Sequence, residues 1–296
     1  MKKIVTIMLL ASWLFVSSSP VQAQDQPAPA VQQLIDRVLQ QMIFVKGGSY
    51  MMGDPRQPFA DVLGDDAWKL YFSDEDNVPV HKVTLDGFYM SAYEVTYADY
   101  DVYTEATGQE RVIKKYLQPS YIRRVGVVRD PQMPVGVGWQ NAQKFCAWLG
   151  EQTGLPFALP TEAQWEYAAR NRGQTVVFAT DNGTVERGRN YPVARSYPTF
   201  VGQFPPSPMG FYDLSGNAYE WVLDWYGEDY YAHSPEHNPQ GPATGTKKVR
   251  RGGGVNNGPP GSSTVMRGLA ANWEGDYPNR GFRCVINTDK PLPTKQ

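Results

Sequence analysis

Residues 159–170 read Leu-Pro-Thr-Glu-Ala-Gln-Trp-Glu-Tyr-Ala-Ala-Arg. Thr161 stands three residues before Gln164, which is the spacing of a capping box at the start of a helix. Trp165, Ala168 and Ala169 then recur at the spacing of one helical face. The stretch therefore predicts a helix that begins after Thr161 and carries a tryptophan into the core.

A second helix is predicted just upstream, over residues 140–152. The apolar residues that share its inner face are Ala142, Phe145, Cys146 and Leu149. Because these positions follow the helical repeat, Cys146 is expected to point into the core. Another helix should begin after Thr96, which has Asp99 three residues further on as an acidic partner.

Two strand-rich segments precede these helices. Residues 43–53 are β-branched and aromatic with glycines at the corners, which predicts a hairpin. Residues 81–85 alternate and lead into residues 88–90, which predicts a second strand pair. After Arg170 the sequence indicates turns and short strands. The whole pattern is typical of an α+β fold with few helices, short strands and long ordered loops.

The composition favours the same architecture. The chain contains 28 Gly and 24 Pro, which divide it into many turns, and 8 Trp and 18 Tyr, which bury a large area from few positions. The sequence therefore predicts a loop-rich protein with an aromatic core.

The first 23 residues have the pattern of a secretory signal peptide. Lys2 and Lys3 precede an apolar run, and small residues close the segment at Ala23. The run is too short to span a bilayer comfortably, so we expect a periplasmic or secreted protein without a membrane span. Beyond the leader we expect a linker and short helix over residues 24–41, one domain over residues 42–287 and a tail over residues 288–296.

The charge balance excludes some partners. The net charge is -2, and removal of the two leader lysines makes it more negative, so nothing favours nucleic acid or an anionic membrane surface. Basic residues nevertheless cluster in one segment, as Arg111, Lys114, Lys115, Arg123, Arg124 and Arg129. A solvated face is the simpler interpretation, and a patch for a partner or an anionic ligand is the alternative.

Cys146 and Cys284 are the two cysteines of the chain. An even number of cysteines in an exported protein predicts a disulfide. A buried pair of free thiols is the alternative, since buried cysteine also serves as a small hydrophobic residue.

Nine short motifs stand in the order found in the formylglycine-generating, or sulfatase-modifying-factor, family, which the chain resembles from about residue 42 to residue 287. They lie at residues 44–48, 52–53, 79–83, 88–89, 94–96, 159–170, 216–221, 251–253 and 281–284. The resemblance implies an elaborated C-type-lectin-like fold. Family members also carry cysteines at the positions of Cys146 and Cys284, which supports their pairing.

The resemblance implies a copper site that this chain does not keep. The resemblance implies that the family enzymes that make formylglycine hold copper(I) between two cysteine thiolates. In this chain, Asn257 and Ser262 stand at those two positions. Amide and hydroxyl oxygens are hard and weak ligands for copper(I). We therefore expect no copper and no formylglycine generation by the copper route. A further branch binds iron through histidines, but Pro235 between His233 and His237 argues against a shared helical face.

Calcium is the cofactor that the resemblance does imply, in a structural role. The expected ligands are Asn217 and Glu220 at one site, and Asn190 with the carbonyl of Tyr191 at a second. Oxygen atoms of this kind suit a hard cation. The alternative is that these residues make ordinary turn and capping hydrogen bonds.

Three functions follow from the resemblance and from the missing thiolates. The first is a periplasmic maturation factor, similar to the branch that matures the siderophore pyoverdine. The second is a binding module or pseudoenzyme that presents residues 111–129 and 255–263 to a protein or glycan. The third, formylglycine generation, is disfavoured by Asn257 and Ser262. The sequence identifies no catalytic acid, base or nucleophile and no substrate.

Overall fold

The computed structural model describes residues 27–64, 76–193, 196–270 and 274–293. The helices in these ranges are α1 Pro29–Gln40, α2 Gln57–Leu63, α3 Tyr97–Ala106, α4 Pro119–Val125, α5 Trp139–Thr153, α6 Glu162–Ala169 and α7 Tyr230–His233. The strands are β1 Met42–Val45, β2 Gly48–Met52, β3 His81–Leu85, β4 Phe88–Ser91, β5 Phe157–Ala158, β6 Tyr219–Trp225, β7 Lys248–Arg251, β8 Gly268–Ala270, β9 Arg280–Gly281 and β10 Val285–Ile286. The predicted signal peptide lies outside the described residues.

The predicted capping boxes are present. The hydroxyl of Thr161 accepts from the backbone N–H of Gln164 at 3.1 Å, and the Gln164 side chain accepts from the N–H of Thr161 at 2.9 Å. Thr96 and Asp99 cap α3 in the same reciprocal way. Each pair satisfies N–H groups that a helix start leaves without partners, which is why both predicted starts are confirmed.

Three small sheets surround these helices. The first has the strand order β1-β4-β10-β5, the second pairs β2 with β3, and the third has the order β8-β7-β6-β9. Only the β6 and β9 pair runs parallel among the strands of the third sheet. Mixed α and β elements joined by long loops confirm the α+β prediction.

The predicted strand pairs are wrong, although the strands themselves are present. Strand β1 pairs with β4, and β2 pairs with β3, so neither predicted hairpin forms. The chain turns from one sheet into the other at Gly47 and again at Asp86–Gly87, and these two corners lie against each other. A Cβ atom on Gly47 would lie 2.4 Å from the carbonyl oxygen of Leu85, so only glycine permits this crossing.

Cys146 on α5 and Cys284 beside β10 are joined in a disulfide, with their Cα atoms 5.8 Å apart. Both cysteines are buried, and they lie in a cluster that also contains Phe145, Trp221 and Phe282. Large aromatic rings supply much of this core, as the composition predicts. The bond ties α5 to the strand that fills the middle of the first sheet.

Residues 29–40 form the short helix expected before the domain. Val31, Leu34 and Ile35 on α1 are buried against the main core, so the helix is part of the packed structure. None of the helices in the described ranges is long and apolar enough to cross a membrane.

Candidate functional site

The candidate site is built on the loop of residues 252–263, which connects β7 to the short turn before β8. Gly252 and Gly253 both have positive φ angles, of 83° and 67°. A Cβ atom on Gly253 would lie 2.4 Å from the carbonyl oxygen of Gly261, so the two ends of the loop touch. The glycines therefore allow the loop to close on itself.

The two positions at which the resemblance implies thiolates lie in this loop. Ser262 is fully buried, and its hydroxyl is 2.8 Å from the hydroxyl of Tyr191. Asn257 is half-buried, and its side chain lies against Gly261. A Cβ atom added to Gly261 would lie 2.8 Å from the Cβ atom of Asn257. The site consequently offers an amide and a hydroxyl, which are poor donors for copper(I).

A buried network of ion pairs anchors both ends of the loop. Arg251 donates to Glu162 at 3.0 Å and to Glu166 at 2.8 Å, and Arg267 donates to Glu162 at 2.8 Å. Burial alone would raise the pKa of Glu162, but Arg267 and Arg251 hold it below its usual value. Through Glu162 and Glu166, helix α6 thus fixes the end of β7 and the residue that precedes β8.

Asn217 and Glu220, the first predicted calcium pair, lie in a second buried polar cluster. The Asn217 amide donates to Glu94 at 2.7 Å and accepts from the N–H of Thr199 at 2.9 Å. Both carboxylate oxygens of Glu220 accept from Arg283, at 2.6 and 2.7 Å. The polar atoms of both predicted ligands are therefore already used by hydrogen bonds within the protein.

Glu94 is the member of this cluster that bonds to Asn217, and its ionised form is disfavoured. Burial, then the nearby charges of Asp213 and Glu220, raise its pKa well above the usual value, although Arg283 and Asn217 oppose the shift. A raised pKa favours the neutral, protonated carboxyl, and a cation bound nearby would favour the ionised form instead. Across the described ranges, however, no three acidic, histidine or cysteine side chains are arranged to hold a metal ion. As arranged, the cluster does not form a ready calcium site.

Asn190 and Tyr191, the second predicted pair, lie elsewhere, in a turn. The Asn190 amide donates to Asp181 at 2.9 Å and to Asn182 at 3.1 Å, and its oxygen accepts from the N–H of Glu186 at 2.7 Å. The carbonyl of Tyr191 accepts from Gly188 at 2.7 Å. The structure does not bring the Asn190–Tyr191 pair together with the Asn217–Glu220 pair. Asn190 and Tyr191 make hydrogen bonds within a turn, as the alternative to calcium binding described.

A cleft of about 590 Å³ adjoins the exposed side of the loop. It is lined by Val62, Leu63, Phe178, Thr184, Val185, Arg187, Pro259 and Pro260. Within the predicted partner loop of residues 255–263, Val255 and residues 261–263 are buried, so only residues 256–260 can meet a partner.

The other predicted partner segment needs one correction. Arg129 is buried, pairs with Asp101 and lies over the ring of Tyr97 at 4.6 Å, so it belongs to the core and not to a solvated face. The remaining basic residues of the cluster are exposed, as expected for a solvated surface. Burial against Tyr97 and a carboxylate partner explain the difference.

With the fold and the site described, the chain can be compared with known proteins. It matches the sulfatase-modifying factor enzyme 1-like domain over residues 28–288. The chain belongs to this family. The match begins at residue 28, immediately before α1, which fits the packing of that helix against the domain core.

Among sequence relatives, the chain is 35% identical over 234 residues to the serine/threonine-protein kinase pkn1 of Chlamydia pneumoniae, a match that covers 73% of this chain and 33% of the kinase. The chain thus spans about a third of that protein's length. It is also 29% identical over 231 residues to the formylglycine-generating enzyme of Mus musculus, which covers 60% of each chain.

Among solved structures, the chain is similar to PvdO from Pseudomonas aeruginosa. The two are 26% identical with a TM-score of 0.64, and the alignment covers 83% of this chain and 94% of PvdO. The family membership and this similarity confirm the resemblance that the nine motifs indicated.

Sequence reasoning located the loop but missed its supports. Arg267 belongs to the ion-pair network that anchors the loop, whereas Glu94 and Arg283 organise the second buried cluster; none of the three was selected from the sequence. Glu94 and Arg283 do lie inside quoted family motifs, at residues 94–96 and 281–284. A charged residue within an otherwise apolar motif was the signal available, because such a residue is buried only when it is paired.

Proposed function

We propose that this protein is a periplasmic maturation factor that modifies an exported siderophore precursor or protein without the copper route to formylglycine. The observation that carries the proposal is the 252–263 loop: the ion pairs that anchor it are complete, whereas Asn257 and Ser262 replace the thiolates. The similarity to PvdO supports a comparison with the pyoverdine-maturation branch.

The ion pairs that hold the loop are intact, which argues that the site keeps a defined structure without the thiolates. Arg251 is fully buried and bonded to two carboxylates, and removing one partner of such a network would leave an uncompensated buried charge. The loop is therefore held in a defined shape, with a half-buried Asn257 and with Pro259 and Pro260 lining an open cleft. A defined, accessible loop is what a modifying enzyme needs to position a substrate.

The copper part of the proposal is tested with the purified mature protein. We expect no stoichiometric copper(I) in an anaerobic titration, and no oxidation of a cysteine-containing sulfatase-type peptide as followed by mass spectrometry. The matched variant is the double substitution Asn257→Cys and Ser262→Cys, which restores two soft ligands and should bind copper(I) much more tightly. Stoichiometric copper with peptide oxidation in the unmodified protein would contradict the proposal.

The maturation role is tested in the source strain. Deleting the gene should make a precursor accumulate among the exported small molecules or periplasmic proteins, and mass spectrometry of both fractions would reveal the difference. Complementation with the natural gene should restore the product. Unchanged masses in both fractions would reject the maturation role and favour the second function, a binding module with a lectin-like fold.

A further inference from the structure

The cleft beside the candidate loop has an apolar lining that comes from three segments distant in the sequence. Phe178 belongs to a small buried cluster, and Leu63 and Val185 pack against that cluster. Pro259 and Pro260 bring the loop itself to the same cleft. Its volume of about 590 Å³ is typical of a site for a small organic molecule. An apolar surface in such a cleft is stabilised when a hydrocarbon group covers it.

Arg187 is the charged residue that lines this cleft. Its side chain is exposed, and no residue in the described ranges forms an ion pair or a hydrogen bond with it. The nearby acids are already paired, since Arg189 contacts Asp181 at 2.7 Å and Glu186 at 3.4 Å. No acidic side chain of the described part of the chain lines the cleft, so the positive charge of Arg187 is not balanced there.

Arg187 is held close to the loop through Tyr191. The guanidinium carbon lies 5.7 Å from the centre of the Tyr191 ring, and the Tyr191 hydroxyl is 2.8 Å from that of Ser262. A Cβ atom on Gly258 would lie 3.8 Å from the Nη2 atom of Arg187. Contact with a ring face does not use the N–H groups of a guanidinium, which stay available to a ligand. The cation and the apolar lining therefore meet beside the loop.

We propose that this cleft binds an apolar carboxylate, a molecule in which a hydrocarbon chain or ring ends in one carboxylate group. Arg187 donates to the carboxylate, because its planar fork of N–H groups matches two carboxylate oxygens. The hydrocarbon part covers Phe178 and the two prolines. One guanidinium balances one carboxylate charge, whereas a phosphate monoester would bring a charge of about -1.5 to -2 at neutral pH. That such a molecule is the substrate rests on the proposed function, but its binding does not.

The cleft is tested by calorimetric titration of the purified mature protein at low ionic strength, with octanoate, octanol and acetate as separate probes. Octanol has the hydrocarbon chain without the charge, and acetate has the charge without the chain. Octanoate should therefore bind at least about tenfold more tightly than either of them. An octanoate affinity equal to that of octanol or to that of acetate would overturn the proposal.

Arg187→Gln should weaken octanoate binding about tenfold and leave octanol binding unchanged, because it removes only the charge-assisted hydrogen bonds. Arg123→Gln is the matched control. Arg123 is likewise exposed and has no ion pair in the described ranges, but it lies on α4 and does not line the cleft. This control should bind octanoate as the natural protein does. Unchanged octanoate affinity in Arg187→Gln, or an equal loss in both variants, would reject the cleft as the binding site.

These titrations measure binding alone, so their outcome is separate from that of the deletion experiment. Octanoate binding that depends on Arg187, with no precursor accumulating in the deletion strain, would support the cleft and reject the maturation role. Precursor accumulation without octanoate binding would support the maturation role and reject the cleft as a site for apolar carboxylates.

Discussion

At the scale of single residues, the carboxyl groups around Asn217 are buried in a setting that disfavours their ionised form. Burial and neighbouring acids raise the pKa of Glu94 well above its usual value, and burial raises that of Asp213 to about 6. A calcium ion near Asn217 would favour the ionised form of these carboxyl groups, and on this ground we propose calcium as a ligand even though no ready site is formed.

We expect chelation of divalent cations to lower the melting temperature, because an ion that binds only the native state stabilises it. Asn217→Ala should reduce the size of this shift, while Asn141→Ala, a change on α5 away from the acidic cluster, should leave it intact. Differential scanning calorimetry with and without chelator measures both. An identical melting curve under the two conditions would remove calcium from this protein.

Asp224 supplies a pH-dependent prediction. Burial, then the charge of Glu162, raise the pKa of Asp224 to about 7 from its model-compound value of 3.8. Between these two pH values the native protein holds a proton that the unfolded chain has lost, so the free energy of unfolding should fall as pH rises through this window. Each unit of pKa difference corresponds to roughly 1.4 kcal/mol.

Asp224→Asn should flatten this part of the stability profile, because the amide cannot ionise and its oxygen can still accept from the N–H of Glu162, as Asp224 does at 2.8 Å. Urea unfolding at several pH values between 4 and 7 provides the measurement. Asp61→Asn on the exposed side of α2 serves as the control. If natural protein and Asp224→Asn show parallel profiles, another group causes the pH dependence.

At the scale of elements, the turn at Gly47 and the turn at Asp86–Gly87 both connect the first sheet to the second. These two turns pack against each other, and their contact depends on Gly47. A Cβ atom there would meet the Leu85 carbonyl at 2.4 Å and backbone atoms of Asp86 and Gly87 at 2.8 Å. Backbone cannot move aside as a flexible side chain can, so Gly47→Ala should lower the free energy of unfolding by about 1–3 kcal/mol.

Chemical denaturation of Gly47→Ala would test this expectation. Gly281→Ala is the matched control, because its added carbon would meet its nearest neighbours at 3.5 Å, an ordinary contact distance. The control should cost clearly less. Equal stability of the two variants would show that the turns at Gly47 and Asp86–Gly87 can move apart without a loss in the free energy of unfolding.

These elements also show what the sequence could predict. The starts of α3 and α6 followed from capping residues only three positions apart, and the inner face of α5 followed from its helical repeat. The partners of β1 and β2 could not be derived in the same way, since an alternating pattern shows which side chains are buried but not which strand lies alongside.

The candidate site likewise combines positions that local motifs reveal with contacts between residues far apart in the sequence. Asn257 and Ser262 could be located because family motifs fix their positions along the chain. The bond between Glu94 and Asn217 joins residues 123 positions apart, and that between Arg283 and Glu220 joins residues 63 apart. Neither separation leaves a local pattern, so such contacts become visible only in the folded molecule.

At the scale of the whole molecule, the disulfide closes a loop of 138 residues. In the chain-entropy model this restriction of the unfolded state stabilises the protein by roughly 4–5 kcal/mol, as an upper value. Cys284→Ala should therefore lower stability well beyond the loss of a single buried methyl group, as measured by urea unfolding.

Alkylation under denaturing, non-reducing conditions checks the bond directly by intact mass. No label should be added to protein exported to the periplasm until a reductant is present, and two labels should then appear. Two labels without reductant would show that the thiols are free in the exported protein.

The place of β10 in the first sheet has a consequence for how the protein is made. This strand, residues 285–286, lies between β4 and β5, and Val285 is in register with both Met90 and Ala158. A ribosome or an export channel releases β4 and β5 long before β10. Until β10 emerges, β4 and β5 therefore lack the strand that lies between them in the finished sheet. Completion of this sheet is thus an event of late synthesis or of release after translocation, and any holding factor that keeps the emerging chain unfolded would act during that interval.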